Sequence, residues 1–285
     1  MKHTSTVMMM VVFALFVGCN GYGCSMQPPI RNGDTSFNAD GNSKEEAEKK
    51  LINYISKRVV RVVILCQIVN IETGVIIQKY KETGWGTGAI VVSTDKYSLI
   101  QTAAHVIDTS TTTKGNLQKT CDKFSIEQRD VNNKIINTYD KVGILTSDAT
   151  RDIGVLRIPY NLSVSSRLAN SIYLGQRVRV IGYPFLRGIK KSQLSYSNGH
   201  VATINIEREN SINKSPNQMR IDLFGYMGSS GGAVWTSDGR LVGTVTMLTG
   251  WRTFGGYIPQ HSCLYGPSVV ALKNFYREKG ITEVF

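Results

Sequence analysis

Apolar residues along this chain recur with a period of two or gather in β-branched blocks, and helical spacing is confined to two places near the ends of the folded part. Val59 to Ile68 is a nearly continuous β-branched run, and Val75 to Tyr80 follows it after a Glu72-Thr-Gly74 turn, which predicts a hairpin. Gly88 to Val92 and Ser98 to Gln101 flank a second turn at Thr94-Asp-Lys96. Lys123 to Ile136, Val142 to Leu145 and Ile153 to Ile158 add further strands up to Pro159. Asn161 to Ile172 is polar and serine-rich and reads as a linker. Beyond it, Arg177 to Ile181, Ser192 to Asn213 and Met219 to Thr246 resume the strand pattern. Many strands at short spacing predict antiparallel barrels, one over about 57–160 and a second over about 172–262.

The helical stretches bracket those strands. Ser43-Lys-Glu-Glu46 has the form of a capping box and predicts a helix to about Ile55. Leu51 and Ile55 share one face of it, suited to packing on the first barrel or, alternatively, to oligomerisation. Pro267 and Gly280 bound a last helix, about 267–279, with Val269, Val270, Leu272, Phe275 and Tyr276 as its apolar face.

Residues 1–18 are predicted to lie outside the fold. Val7 to Val17 is an apolar run behind Lys2 and His3, shorter than the ~20 residues a bilayer span needs, and it reads as a secretory signal segment. Phe16-Val-Gly-Cys19 resembles the lipobox of bacterial lipoproteins, which implies lipidation at Cys19; ordinary cleavage is the alternative. Residues 19–42, rich in Gly, Asn, Ser and Asp, read as a flexible tether. A lipid anchor would make the membrane a partner and the cell envelope the location, with secretion as the other outcome.

Composition narrows the picture less than pattern does. At 285 residues and 41% hydrophobic content the chain can bury a sizeable core in residues 43–285. The net charge of +12 invites nucleic acid or an anionic membrane as partner. The basic residues are scattered, with no dense tract among exposed aromatics, so nucleic acid is not the expected partner. Cys19 and Cys24 lie ahead of the fold, leaving Cys66, Cys121 and Cys263, of which at most two can pair. No Cys-x-x-Cys occurs, and no structural zinc is expected.

The chemistry gathers at Gly225-Tyr-Met-Gly228-Ser-Ser230-Gly-Gly-Ala-Val-Trp235. A hydroxyl on a glycine-rich turn between two strands is what nucleophilic acyl transfer needs, because free backbone amides beside it can hold an oxyanion. A hairpin with an incidental serine would look the same in isolation. Upstream, however, Gln101-Thr-Ala-Ala-His105 sets a histidine at a strand end, and Asp148-Ala-Thr-Arg-Asp152 sets two acids before an apolar strand. The order His, Asp, Ser with Gly-x-Ser-Gly-Gly is that of the chymotrypsin arrangement.

From about Val59 to Lys279 the chain resembles the trypsin-like serine proteases, in particular the HtrA/Deg type. Gly84-Trp-Gly-Thr-Gly-Ala-Ile-Val91, Leu99-Ile-Gln-Thr-Ala-Ala-His105-Val, Val180-Ile-Gly-Tyr-Pro184 and Ser197-Asn-Gly-His-Val-Ala202 carry the likeness along with the serine segment. Ser229 and Ala233 depart from the family's Asn or Asp before the serine and its proline after Gly-Gly. The cysteine that vertebrate-type trypsins carry shortly after the histidine is absent, which favours a core held by packing. The resemblance implies an all-β fold of two antiparallel six-stranded β-barrels with a short helix at each end. It implies a peptidase that needs no cofactor, acts on polypeptides and has no room for a PDZ domain. Ser230 would be the nucleophile, His105 the base, Asp152 the acid that orients it, and the Gly228 and Ser230 amides the oxyanion hole. Asp152 is preferred over Asp148 because Ile153-Gly-Val-Leu-Arg-Ile158 continues from it, and Thr246 is a candidate to hold its carboxylate. Phe224, six residues before the serine, would floor the specificity pocket and favour a small or medium apolar side chain over Lys or Arg. The rival readings are a catalytically inactive trypsin-like fold that binds, and a basic adhesion or nucleic-acid-binding lipoprotein.

Overall fold

The β-branched run at the start of the folded part is buried on both faces, and that explains its unbroken apolarity. In β1 (Val59–Asn70) Val60 and Val62 point into one hydrophobic cluster, with Ile90, Ile100, Phe124, Ile126 and Leu156, while Val59 joins another, with Trp235, Leu272 and Phe275. The computed structural model describes residues 41–184, 193–206, 217–223, 228–253 and 256–285. The predicted signal segment, Cys19 and nearly all of the predicted tether lie outside the described residues.

The first sheet contains β1, β2 (Ile76–Ser93), β3 (Ser98–Thr102), β4 (Ser110–Lys114), β5 (Leu117–Arg129), β6 (Ile135–Tyr139), β7 (Gly143–Asp148) and β8 (Ile153–Ile158). Its order is β4-β5-β1-β2-β3-β8-β7, with β6 paired on β5. The second contains β9 (Arg177–Gly182), β10 (Ser195–Ile206), β11 (Gln218–Asp222), β12 (Ala233–Thr236), β13 (Leu241–Thr244), β14 (Met247–Thr253) and β15 (Gly256–Pro267), in the order β13-β12-β9-β10-β11-β15-β14. The fold is therefore mostly β, two curled antiparallel sheets with two helices, the trypsin-like double barrel. The strand counts are eight and seven, where six each were expected. The exposed β4 and the branch strand β6 account for the surplus in the first sheet, and neither had an apolar alternation to announce it.

Each barrel has its own core, and a third cluster fills the space between them. Val178, Val201, Met219, Val234 and Leu264 pack inside the second sheet. The shared cluster combines Ala89, Val91 and Val155 of the first sheet with Ile181, Ala233 and Trp235 of the second. Both helices close over it. Helix α2 (Val269–Glu278) contributes Leu272, Phe275 and Tyr276, all fully buried, and each such side chain is worth roughly 1.5–3 kcal/mol of transfer free energy. Val270, expected on that face, is exposed, and the helix begins after Ser268, because Pro267 still belongs to β15. Helix α1 (Gly41–Ser56) begins ahead of Ser43, so the predicted capping residue lies inside it. It docks, as expected, on a cluster that includes Val59, Ala89 and Val155 of the first barrel, and it reaches the second barrel as well. Ile55 and Leu51 enter the shared cluster, and Glu48 receives Arg179 of β9 at 2.8 Å through Nε, a tie to the second barrel.

Cys66 on β1 and Cys121 on β5 form a disulfide, so one bridge supplements the packing that the sequence implied. Cys66 is fully buried, three residues beyond the unbroken buried run from Val59 to Val63.

Candidate active site

His105 sits in a short 3-10 turn, Ala104–Val106, that β3 feeds directly. Asp152 ends the tight turn between β7 and β8 with φ at +56°, a left-handed conformation that aspartate tolerates better than most residues. Its carboxylate takes two donors from one residue. The His105 backbone N–H reaches Oδ1 at 3.0 Å, and Nδ1 lies 2.8 Å from Oδ2 and 3.1 Å from Oδ1. A carboxylate only accepts, so Nδ1 carries the proton and Nε2 is left as the basic nitrogen. The His105 side chain is 49% exposed and that of Asp152 15%, which leaves the imidazole open to solvent and shields the acid behind it.

Asp148 does different work. Its Oδ1 accepts the Arg151 amide at 3.0 Å, closing the turn that delivers Asp152. Thr246 does not reach Asp152; its hydroxyl turns to the Tyr265 carbonyl at 3.5 Å. Phe224 lies outside the described residues.

The Ser230 turn is wound by Gly228 and Gly231, both at positive φ, +85° and +81°. The Gly232 amide returns to the Ser229 carbonyl and the Gly231 amide to Val245, each at 2.7 Å. The turn is laid against the first barrel beside the histidine. A Cβ on Gly231 would stand 2.0 Å from the Thr87 carbonyl, so only glycine allows that approach. A Cβ on Gly86 would meet Val106 at 2.6 Å on one side and the Ser230 carbonyl at 3.1 Å on the other, which puts the serine turn within a residue's width of the His105 turn. Among the described residues the amides of Gly228 and Ser230 have no acceptor, and the Ser230 hydroxyl makes no hydrogen bond to His105. Nucleophile–base bonds are often loose before substrate arrives.

Two groups of residues around this site were not singled out by sequence reasoning. Thr87, fully buried on β2, is a junction. Its N–H donates to the Ser230 carbonyl at 2.8 Å, its hydroxyl donates to the Gly228 carbonyl at 3.1 Å and accepts the Tyr183 amide at 2.9 Å. Its own carbonyl accepts the Thr102 hydroxyl at 2.7 Å. The signal was its place in Gly84-Trp-Gly-Thr-Gly, between glycines that let other chains close in. The second group lies four residues before the histidine. Gln101 donates to the Thr244 hydroxyl and accepts the Tyr276 hydroxyl at 2.8 Å, joining both barrels and α2 in one buried network. Burial pushes the Tyr276 phenol well above its ordinary range, so it stays a neutral donor.

A histidine oriented by an acid, beside a glycine-wound serine with free amides, is the arrangement of acyl-transfer enzymes. The sequence profile of the trypsin-like peptidase domain matches residues 86–243, more than half of the chain. The chain belongs to the trypsin-like peptidase family. Among solved structures it is similar to an HtrA-type protease, AlgW, in a serine-to-alanine form with a decapeptide. That likeness has TM-score 0.57 and 18% identity over 81% of this chain and 67% of the other. It is similar also to Rv3671c from M. tuberculosis, the inactive form of a serine-to-alanine mutant, with TM-score 0.54 and 14% identity over 84% of this chain and 94% of the other. At such identities these likenesses speak for the fold. Among curated proteins none matches.

Proposed function

We propose that this member of the trypsin-like peptidase family is an active serine endopeptidase, exported and held near a membrane by its N-terminal tether. The observation that carries the reading is the Asp152–His105 pair, 2.8 Å apart, next to the Ser230 turn. Ser230 Oγ attacks the peptide carbonyl while His105 Nε2 takes its proton. The imidazolium is stabilised by Asp152 and then protonates the leaving amine. Gly228 and Ser230 amides hold the tetrahedral oxyanion, and loss of one such donor typically costs about 10²–10³ in rate. Water repeats the sequence on the acyl-enzyme with His105 again as base.

Polypeptides are the substrate class, a reading supported by the decapeptide in the AlgW structure. Phe224, six residues before Ser230 in the sequence, is assigned to the first specificity pocket on the family resemblance, and an aromatic in that role favours small or medium apolar side chains. Cys19 carries the lipid; fatty-acid labelling in a bacterial host that persists in Cys19→Ser overturns that part alone.

A fluorophosphonate probe tests the centre. It labels the wild type at Ser230 and leaves Ser230→Ala and His105→Ala unmodified, and casein cleavage disappears in the same variants. The absent Ser230–His105 hydrogen bond favours a second reading, an inactive fold that binds peptides. Peptide binding by a wild type that takes no label decides for it.

A further inference from the structure

The first sheet sends two hairpins beyond its core, and their tips meet. Beyond Cys66 no residue of β1 is fully buried, and β1 continues to Asn70, where it pairs with Leu117 of β5. The Ile71 amide donates to the Asn116 carbonyl at 2.8 Å, which joins the β1–β2 turn to the β4–β5 turn. The Cys66–Cys121 disulfide clamps the two hairpins behind this junction. Ile71, Val75, Ile76, Ile77 and Leu117 stand there 50, 55, 53, 58 and 43% exposed. An aliphatic surface on the order of a few hundred Å² gathered at one tip is at the upper end of what a monomer ordinarily exposes, and patches of that size are often functional.

Lysines lie just behind it. Lys81 faces Cys66, Lys119 is two residues from Cys121 and opposite Thr112, and Lys114 is opposite Leu117, so these three share one face of the sheet. With Lys79 they set four ammonium groups against the single carboxylate of Glu72 in residues 70–81 and 114–119. The spacing is ordered. At 3.3 Å per residue, Lys79 and Lys81 trail Ile76 by roughly 10–17 Å, which sets their ammonium groups behind the aliphatic tip, and their stems lean part of the way toward it. Apolar groups enter the headgroup–acyl boundary by about 5–10 Å, with cations remaining at the anionic headgroups. The aliphatic tip has no aromatic side chain within 70–77 or 114–119, and Tyr80, between Lys79 and Lys81, is engaged by Asp122 at its hydroxyl and by Lys123 over its ring, which argues against the stacking that nucleic acid uses and the anchors that protein partners favour.

We infer that this paired hairpin tip docks on an anionic lipid bilayer, with Ile71, Val75, Ile76, Ile77 and Leu117 entering the interface and the lysines contacting lipid headgroups. The contact is separate from Cys19 and from the catalytic reading, and holds whether or not either of those does.

Hydrogen–deuterium exchange on the full chain reads the tip directly, whatever the N-terminal segment does on the same vesicles. Vesicles of phosphatidylglycerol with phosphatidylcholine are expected to slow exchange in residues 70–78 and 114–119, and phosphatidylcholine alone is not. Protection is expected to vanish in Ile76→Asp/Ile77→Asp and in ~1 M salt, where the screening length falls to about 3 Å. Lys81→Glu/Lys119→Glu is expected to lose it on the same vesicles while the rest of the chain exchanges as in the wild type. Unchanged exchange at the tip of vesicle-bound protein overturns the inference. Equal protection on neutral vesicles overturns the charge half of it. Protection that grows with protein concentration without lipid assigns the tip to a second copy pairing along the free edge of β2, and overturns it as well.

Discussion

Arg151 holds Glu278 with both terminal guanidinium nitrogens, at 2.6 and 2.8 Å, and so ties the turn ending in Asp152 to the last turn of α2. The carboxyl of Glu278 is held below its usual range by that hydrogen-bonded pairing. Half-exposed ion pairs add little to stability, so this one is read better as a positional constraint. Asp152 sits at φ +56°, and an unfavourable backbone angle persists only where its surroundings fix it.

Glu278→Ala is therefore expected to lower kcat several-fold while KM and the melting temperature stay close to wild type. Glu278→Gln, which keeps one acceptor, should fall between the two. Steady-state kinetics with thermal melts measures this. A melting temperature that falls in step with kcat would reassign the pair to simple stability.

Thr87 offers a different separation. Thr87→Val preserves shape but leaves the Tyr183 amide and the Gly228 carbonyl without their buried partner, a loss of about 1–3 kcal/mol. For a chain of this size that lowers Tm by roughly 2–12 °C. Because one of the orphaned groups belongs to the turn that winds Ser230, turnover is expected to fall further than stability explains, at a temperature where the variant is fully folded. Thr87→Ser, with the hydroxyl retained, should recover most of both.

The clamp between α1 and β9 carries a pH dependence. Arg179 hydrogen bonds hold the Glu48 carboxyl down at about 2 against the opposing effect of burial, from an ordinary 4.5. A carboxyl lowered in the fold contributes stability that is complete above the unfolded value and is lost as pH falls through the folded one. The window is thus about 4.5 down to about 2. Acid titration of the denaturation midpoint in Glu48→Gln should be flatter than wild type across that window and parallel above it. Parallel curves throughout would remove Glu48 from the acid response.

What the sequence disclosed depended on whether a feature was local. The strands were readable because burial on one or both faces writes itself as alternation or as an unbroken β-branched run, as in β1. His105 and Ser230 stood out because a small-small-His strand end and a glycine-wound turn are short patterns. Strand β4 was not readable, since Ser110-Thr-Thr-Thr-Lys114 is exposed throughout and is held only by its neighbour β5. The Gln101–Thr244–Tyr276 network escaped notice for another reason: its members lie 143 and 175 positions apart and become partners only when both barrels and α2 assemble. The same applies to Arg151 and Glu278. Pairings across that distance leave no periodicity, so only the fold reveals them.

The two acids of the β7–β8 turn give the sharpest test of the centre. Asp152 accepts both the His105 amide and Nδ1, whereas Asp148 accepts the Arg151 amide and lies 3.4 Å from the Arg151 guanidinium. Asp152→Asn keeps the size but turns an obligate acceptor into a group that can also donate, which favours the histidine tautomer with its proton on Nε2. In Ser-His-Asp enzymes such a change costs ~10⁴ in turnover, and a loss of that order is expected here. Asp148→Asn retains an oxygen for the Arg151 amide and gives up only a partly exposed ion pair, so turnover should stay within a few-fold of wild type. Casein hydrolysis by both variants, with circular dichroism to confirm folding, measures the difference. A crippled Asp148→Asn beside an active Asp152→Asn would exchange their roles, and two active variants would leave His105 without the acid on which its role as base depends.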